Sequence, residues 1–417
     1  GKDPNFKALK NRLADENSFV WLGQSKNLVD YWEENGKKIK LLKGLPTNEF
    51  PLIAFQGVGD QGITHLHLSL QKKQPIKDQN GIQNNLVINL PKPTIIEPQW
   101  LKNHRNNSMD VLIQDADNIL YLFSNNGKLY WKKKLESKII GTVHQVDLFK
   151  NKRLQMAFRT RDKLIILDRE GNFVQPFNIK LPWSENPLPL SVFDYDSNKN
   201  YRFLIAQDKS LLMFNEKGRR VDGFNLKKVN NNILFSPKHI RFQGRDYIVL
   251  QLENNTLKIV SRQGKDRIKV KGNINFSNNK VFSYLNTFAT TDKEGNLIQV
   301  DIKGNKVSSA LGLNPKHQIA ATTKSLVTLS GNTLNIKGIP VSLPYGDYTP
   351  PKIFYLKNTL YVSTADKESQ KVYLFYSNGK KVKGFPVYGN NSGDLSNSDK
   401  DKAVELLVST KENSFFI

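Results

Sequence analysis

Cysteine is absent from all 417 residues, and with it disulfides, thiol nucleophiles and Cys-ligated zinc or iron–sulfur centres. A chain of this length without cysteine fits an exported bacterial protein better than a cytosolic one, because it cannot form wrong disulfides in an oxidising compartment. No apolar run reaches the roughly 18 residues that a spanning helix needs. The opening Gly1-Lys2-Asp3-Pro4 lacks both Met and an apolar targeting core, so we expect a processed or shortened chain from which any targeting segment has been removed. Local catalytic signatures are missing too. There is no GxSxG elbow and no HExxH, and Gln56–Asp60 (QGVGD) lacks the GxxxxGK[ST] form and a following helix signal. Acidic residues are scarce: 38 Asp and Glu stand against 62 Lys and Arg, a net charge of +24. Such an excess favours anionic partners.

What the chain has in abundance is one repeated phrase. Lys163–Val174 (KLIILDREGNFV) is an apolar run, a polar turn closed by Gly171, and a second strand-like run. Variants recur at Ile119–Leu129, Leu211–Val221, Leu257–Ile268, Leu297–Val307, Thr333–Val341 and Val372–Val382. The runs are rich in β-branched and aromatic residues, and glycine supplies the positive φ that a tight hairpin needs. Successive turn glycines (127, 171, 218, 264, 304, 338, 379) lie 44, 47, 46, 40, 34 and 41 residues apart. That is the period of a four-stranded propeller blade. The expected fold class is therefore all-β: a β-propeller of eight blades, or seven if the short sixth unit merges with a neighbour, with a small α+β N-terminal segment.

The second unit gives the strand pattern from centre to rim: His144–Phe149, Leu154–Arg159, Lys163–Asp168 and Phe173–Ile179. The eighth unit, Gly393–Ile417, supplies strands near Asp394–Leu395, at Ala403–Ser409 and at Ser414–Ile417, and its missing fourth is expected at Leu86–Leu90. Pairing the first strand with the last blade removes free edges. Residues 1–84 read as the tail of a larger N-terminal domain, and 85–417 as the propeller. In the former we expect helices at Phe6–Leu13 and Lys26–Glu34, with Ser25 as N-cap, strands at Pro51–Gln56 and Ile63–Leu70, and a polar linker at Gln71–Asn85. Lysines and arginines gather on the last strand of each repeat, as in Lys132–Lys134, Arg219, Arg220, Lys227, Lys228, Lys265–Lys271 and Lys380–Lys383. They serve there to block edge pairing or to meet an anionic surface.

Phe193–Phe203 (FDYDSNKNYRF) sets Asp194, Asp196, Asn198 and Asn200 at alternate positions, the spacing of oxygen ligands in a calcium loop, although the central glycine and distal glutamate are missing. Asp194, Asp196 and Asn198 are the candidate metal ligands and calcium the candidate ion; an exposed turn explains the same residues. The last blade carries an eroded counterpart, GDLSNSDK, in which Asp394 and Asp399 keep charge. His65 and His67 share one strand face with no evident third ligand. Trp100, Tyr121, Tyr130, Trp131, Trp183 and Tyr373 could stack on bases or sugars, though strand aromatics more often pack between blades. No catalytic residue is assigned.

The phrases Leu164–Val174 and Tyr373–Val382 resemble those of the eight-bladed quinoprotein-like propellers, over residues 85–417. That resemblance includes the outer-membrane-assembly lipoprotein type, which is not catalytic, and alcohol dehydrogenases, which are. The catalytic branch would need a tryptophan floor for the quinone and often a vicinal disulfide, which this chain cannot form. More narrowly, Val146–Val174, Phe193–Ala206 and Gly384–Thr410 resemble the C-terminal part of large exported proteins of Gram-negative envelopes, in which another domain precedes a propeller. The resemblance implies a non-enzymatic scaffold of the periplasm or cell surface that binds an envelope protein or an anionic glycan or lipid surface, with no cofactor beyond calcium. The alternative is a carbohydrate-active or other hydrolytic enzyme in which acids such as Asp147, Asp194 and Asp394 converge in the channel. Nucleic acid is a third candidate partner, supported by charge alone.

Overall fold

The computed structural model describes residues 9, 13, 15, 18–34, 47, 49–60, 63–71, 86–399, 403–410 and 413–417. The first expected helix and the linker fall outside these residues, apart from Leu9 and Leu13 of the helix and Gln71 of the linker. Among the described residues no helix is long and apolar enough to cross a membrane.

A three-stranded antiparallel sheet comes first: β1 (Phe19–Gln24), β2 (Leu52–Asp60) and β3 (Ile63–Gln71), with helix α1 (Ser25–Glu34) between β1 and β2. Strand β1 was not expected, and Gln56–Asp60 is simply the second half of β2. The Ser25 hydroxyl does not cap α1. It donates to the Phe50 carbonyl at 2.5 Å while the Ser25 amide donates to Pro51, so this serine ties the helix to the strand that follows it.

From Val87 onward eight sheets follow. Sheet 1 is β5–β8 (Gln99–Lys102, Met109–Gln114, Ile119–Ser124, Leu129–Lys134) and sheet 2 is β9–β12 (His144–Val146, Gln155–Arg159, Lys163–Leu167, Phe173–Lys180). Sheet 3 has three strands, β13–β15 (Ser191–Phe193, Arg202–Gln207, Ser210–Asn215). Sheets 4 to 7 are β16–β19 (Lys238–Phe242, Arg245–Gln251, Leu257–Val260, Asp266–Ile268), β20–β23 (Phe282–Tyr284, Thr287–Thr291, Asn296–Val300, Lys306–Ala310), β24–β27 (Gln318–Ala321, Leu326–Ser330, Thr333–Ile336, Ile339–Ser342) and β28–β31 (Lys352–Leu356, Thr359–Asp366, Lys371–Tyr376, Val387–Tyr388). Sheet 8 joins both regions of the chain: β32 (Asp394–Ser396), β33 (Glu405–Ser409) and β34 (Ser414–Phe416) continue into β4 (Val87–Asn89), with Phe415 opposite Ile88.

The sheets close on themselves through their apolar faces. The second and third strands are almost wholly buried, as in Gln155–Arg159, because both faces meet a neighbouring sheet. Each pair of consecutive sheets shares a core. Phe158 and Leu122 belong to the one between sheets 1 and 2, and Phe203 and Ile166 to the next. Leu407 and Phe415 of sheet 8 pack with Trp100, Val111 and Phe123 of sheet 1, which completes the circuit. First strands of successive sheets touch in series, β16 to β20 to β24 to β28, and β32 meets β5. They are the inner strands, and the fourth strands form the rim. This is a β-propeller.

Two rims depart from the pattern for one reason. Val221-Asp222-Gly223-Phe224 and Val382-Lys383-Gly384-Phe385 make matching turns, with the Phe amide donating to the Val carbonyl at 3.1 and 3.2 Å. Each turn drops a buried phenylalanine into the inter-sheet core. The outer strand is correspondingly reduced to isolated bridges in sheet 3 and to two residues in sheet 7.

Candidate interaction face

Because every sheet is an antiparallel meander, the first-to-second and third-to-fourth strand connections emerge at one mouth of the ring. The remaining connections emerge at the other. The first mouth is lopsided. First-to-second connections span 397–404, 103–108, 147–154 and 194–201 in sheets 8, 1, 2 and 3, but 243–244, 285–286, 322–325 and 357–358 in sheets 4 to 7. Gln243-Gly244, Leu285-Asn286 and Lys357-Asn358 hold positive φ at both positions, the two-residue turn that matches strand twist. On that short-turn side lies the N-terminal segment. The Asp15 carboxylate accepts from the Leu360 amide (2.5 Å) and the Ser377 hydroxyl (2.8 Å), its amide donates to Asn358, and Lys337 donates to its carbonyl (3.0 Å).

The long loops are held in shape by their first residue. Asp147 accepts from the amides of Asn151 and Lys152 at 3.0 and 2.9 Å, and Asp194 accepts from those of Asn198 and Lys199 at 3.1 and 3.0 Å. The two loops are thus the same device, with Asp at the first position and Asn-Lys at the fifth and sixth. Positive φ at Lys150, Lys152, Ser197 and Lys199 lets the amides turn inward. The shared DxxxNK spacing was present in the sequence.

Neighbouring loops are then cross-braced. Lys199 of sheet 3 reaches Asp147 of sheet 2 at 2.5 Å, and Lys150 returns to Asn200 at 2.8 Å. Burial works against the Asp147 carboxylate, but the Lys199 ammonium and the two amides outweigh it and hold its pKa below the usual range. Third-to-fourth turns reach back to the preceding sheet: Asn125 donates to Ser398, Arg169 pairs with Asp110, and Glu170 pairs with Arg105. Burial raises the Asp110 pKa despite that arginine. In sheet 4, Arg262 takes both oxygens of Asp196 at 2.6 and 2.9 Å, reaches the buried Asp246 through Nε at 2.7 Å, and lies over the Tyr195 ring at 4.7 Å. Asp246 also receives Arg241 and His239, the latter at 2.7 Å. Burial pushes the His239 pKa down, although its contact with the Asp246 carboxylate works the other way.

The candidate calcium residues are therefore placed as follows. Asp194 satisfies backbone amides, Asp196 faces a guanidinium, and Asn198 accepts from the Asn200 amide at 3.0 Å. Among the described residues no three His, Asp or Glu side chains are gathered as a metal site. His65 and His67 lie on β3 with rings 6.4 Å apart. The acids of the hydrolase reading are not brought together: Asp147 and Asp194 follow inner strands at the long-loop mouth, whereas Asp394 begins β32 at the opposite one. There Asp394 accepts from the Trp100 amide at 2.8 Å, and burial raises its pKa. Trp100, Tyr121 and Tyr373 are buried between sheets, Trp131 donates to the Arg169 carbonyl, and Tyr130 lies under Arg169. Trp183, 68% exposed, stands over Arg161 near the other mouth.

One residue singled out by the structure escaped the sequence reading. Phe149, at the tip of the sheet 2 loop, is 61% exposed, and the exposed cations Lys150, Lys152 and Arg153 follow it. In the sequence it looked like the end of a strand.

No protein-family model matches the chain, and no curated protein matches it. Among solved structures it is similar to the computationally designed Ika8 protein, with a TM-score of 0.52 and 12% identity, covering 79% of this chain and 96% of that one. It is also similar to BamB from Moraxella catarrhalis (TM-score 0.49, 14% identity, 80% and 96% covered) and to BBS1N, solved in complex with ARL6DN (TM-score 0.46, 12% identity, 76% and 89% covered). At these identities the likeness is one of fold. By its own sheet topology, the chain is an all-β propeller with an additional N-terminal sheet.

Proposed function

We propose that the chain is a non-enzymatic scaffold of the bacterial cell envelope, exported to the periplasm or cell surface, whose eight sheets are the eight blades of one ring. It binds a protein partner through the long loops of sheets 8, 1, 2 and 3. The observation that carries this reading is the lopsided mouth: four consecutive sheets bear long connections, those of sheets 2 and 3 pinned by Asp147, Asp194 and the Arg262 cluster, while the other four have minimal turns, one of them met by Asp15. Bracing of this kind pre-organises a surface and lowers the entropy cost of binding. An exposed phenylalanine among lysines and an arginine has the composition of an interface anchor, and it calls for a partner that is acidic around an apolar pocket. Export is supported by the absence of cysteine and by the resemblance to Gram-negative envelope proteins. The test is binding of an envelope partner by the wild-type chain and by Phe149→Ser. The variant should lose at least tenfold in affinity with its melting temperature unchanged.

A second reading concerns the rim, where Lys132, Lys227, Lys228, Lys265 and Lys269 make no ion pair among the described residues. It presents these charges to anionic glycan or lipid, and that contact should weaken steeply with salt.

A further inference from the structure

Sheets 5 and 6 meet along an open groove of 590 Å³, whereas sheets 4 and 5, and sheets 6 and 7, are joined by full apolar cores. The buried apolar members of the sheet 5–6 contact, Phe282, Ala289 and Leu297, all come from sheet 5. The difference lies in the cross-strand pairs that each sheet turns toward the sheet before it. In sheet 5 these are Phe288–Val300 and Thr290–Ile298, and in sheet 7 Val362–Phe375 and Thr364–Tyr373. In sheet 6 the same two places hold Thr328–Asn335 and Ser330–Thr333. Strand alternation turns these four toward sheet 5, while Val327, Leu329, Leu334 and Ile336 enter the core with sheet 7. Nothing bulky reaches across, and the outer strand of sheet 5, Lys306–Ala310, is exposed along its whole length.

The groove carries unspent hydrogen-bonding groups. Thr328 is 7% exposed, and neither its hydroxyl nor that of Thr333 has a partner among the described residues. The Ser330 oxygen accepts from the Asn314 amide at 2.9 Å, and the Asn335 oxygen from the Gly338 amide at 2.8 Å, so each side chain keeps an O–H or N–H to donate. A buried hydroxyl left unmatched costs stability until something enters to meet it. Leu311, Leu313 and Leu326 form the apolar part of the lining. At the long-loop mouth the groove is closed by Lys324 and Lys337, which hold the Ser18 hydroxyl (3.4 Å) and the Asp15 carbonyl (3.0 Å). Among the described residues no carboxylate lines it, so a basic occupant finds no counter-charge and meets two ammonium groups at that end.

We infer that this groove is a binding site for an extended peptide segment, free of basic residues, from a partner protein. Directly opposed positions on antiparallel strands lie about 5 Å apart, and alternate positions along one strand about 7 Å. The four polar side chains therefore form a grid whose longer step equals the two-residue repeat of an extended chain. A segment laid along β25 offers main-chain groups at that step to Thr328 and Ser330 and turns alternate side chains toward the leucines. Since β25 has five residues, the groove takes a segment of about that length. Its volume falls within the roughly 300–1,000 Å³ of ligand sites. Phe149 has no part in it, so this site and the proposed interaction face stand or fall separately.

The test is panning of a random heptapeptide library on the full chain, with counter-selection on Thr328→Phe/Asn335→Val, which gives sheet 6 the pair that sheet 5 carries. Selected peptides, titrated by fluorescence anisotropy, should bind one to one and be poor in Lys and Arg. The double variant should weaken them at least tenfold and Thr328→Val, which keeps the shape of the side chain, at least threefold. Phe149→Ser should leave them within twofold. Without peptide, Thr328→Val should melt at or above the wild-type temperature, since it removes a hydroxyl that has no partner. Failure to select any peptide that the groove variants weaken, equal weakening by Phe149→Ser, or a clear fall in the melting temperature of Thr328→Val would overturn the inference. Binding of maltohexaose or cellohexaose, lost in the same variants and with no peptide selected, would overturn it in favour of a neutral glycan.

Discussion

Replacing Asp246 by Asn tests the bracing of the long-loop mouth at its most connected point. The side chain keeps its shape and one acceptor oxygen, so the substitution removes the charge and one of the two acceptors. In the wild type this carboxylate, 5% exposed, faces Arg241, Arg262 and His239, and its backbone carbonyl accepts from Arg267 at 2.8 Å. Stripping one partner from a buried ion pair costs about 3–5 kcal/mol. The side chains of Arg262 and Arg241 are 36% and 30% exposed, so water screens part of that loss and we expect about 2 kcal/mol. Arg262 then has Asp196 as its remaining carboxylate, and the loop 194–201 loses its hold on sheet 4. Every 1.4 kcal/mol is tenfold in an equilibrium, so amide hydrogen exchange at Asn198 and Lys199 should quicken roughly thirty-fold. The control is Asp266→Asn: its pair with Lys258 is exposed, and the change should stay within about 0.5 kcal/mol. If Asp246→Asn also stayed within about 0.5 kcal/mol, with exchange unchanged, the cluster would not be the brace we describe.

Three further outcomes are expected. The His144 and His239 pKa values are pushed below the ordinary 6.5, in both cases chiefly by burial, so the unfolded chain binds protons first and stability falls as pH drops from 6.5 through the lowered values. Thermal melts should show that loss as pH falls below about 6.5, and the double change His144→Gln with His239→Gln should flatten it; an unaltered slope would refute the assignment. Gly304→Ala should cost more than Gly244→Ala, measured by denaturation. Both have positive φ, worth about 1–2 kcal/mol, but a Cβ at Gly304 runs into the Lys269 carbonyl whereas Gly244 has open space. Calcium in millimolar excess should leave the melting temperature unchanged, because Arg262 already occupies Asp196; a rise abolished by Asp196→Asn would restore the metal reading of that loop.

The repeat was legible because a propeller blade writes its turn into the chain at a fixed place. Gly127, Gly171 and Gly264 all have φ between 76° and 81°, the conformation that marks them out in the sequence. The strands of sheet 2 lie within a few residues of the spans expected, and Val87–Asn89 lies within Leu86–Leu90, opposite β34. The long-loop mouth was less legible because it is made by contacts distant in sequence. Arg262 and Asp196 are 66 residues apart, so the arginine that meets Asp196 cannot be read from the local spacing of Asp194–Asn200. The four-stranded pattern expected of every unit is cut short at the outer strands of sheets 3 and 7, because the turns Val221–Phe224 and Val382–Phe385 draw their phenylalanines into the core. Phe149 looked like strand because propensity registers an aromatic, and exposure is decided by where the loop leaves the sheet.

The most direct test of the central claim is capture of partners from a Gram-negative envelope extract on the folded wild-type chain and on Phe149→Ser, each at low and high salt. The account predicts a discrete protein that the wild type retains at high salt and the variant does not. Material that Phe149→Ser retains equally, or that salt alone removes from both, would contradict it.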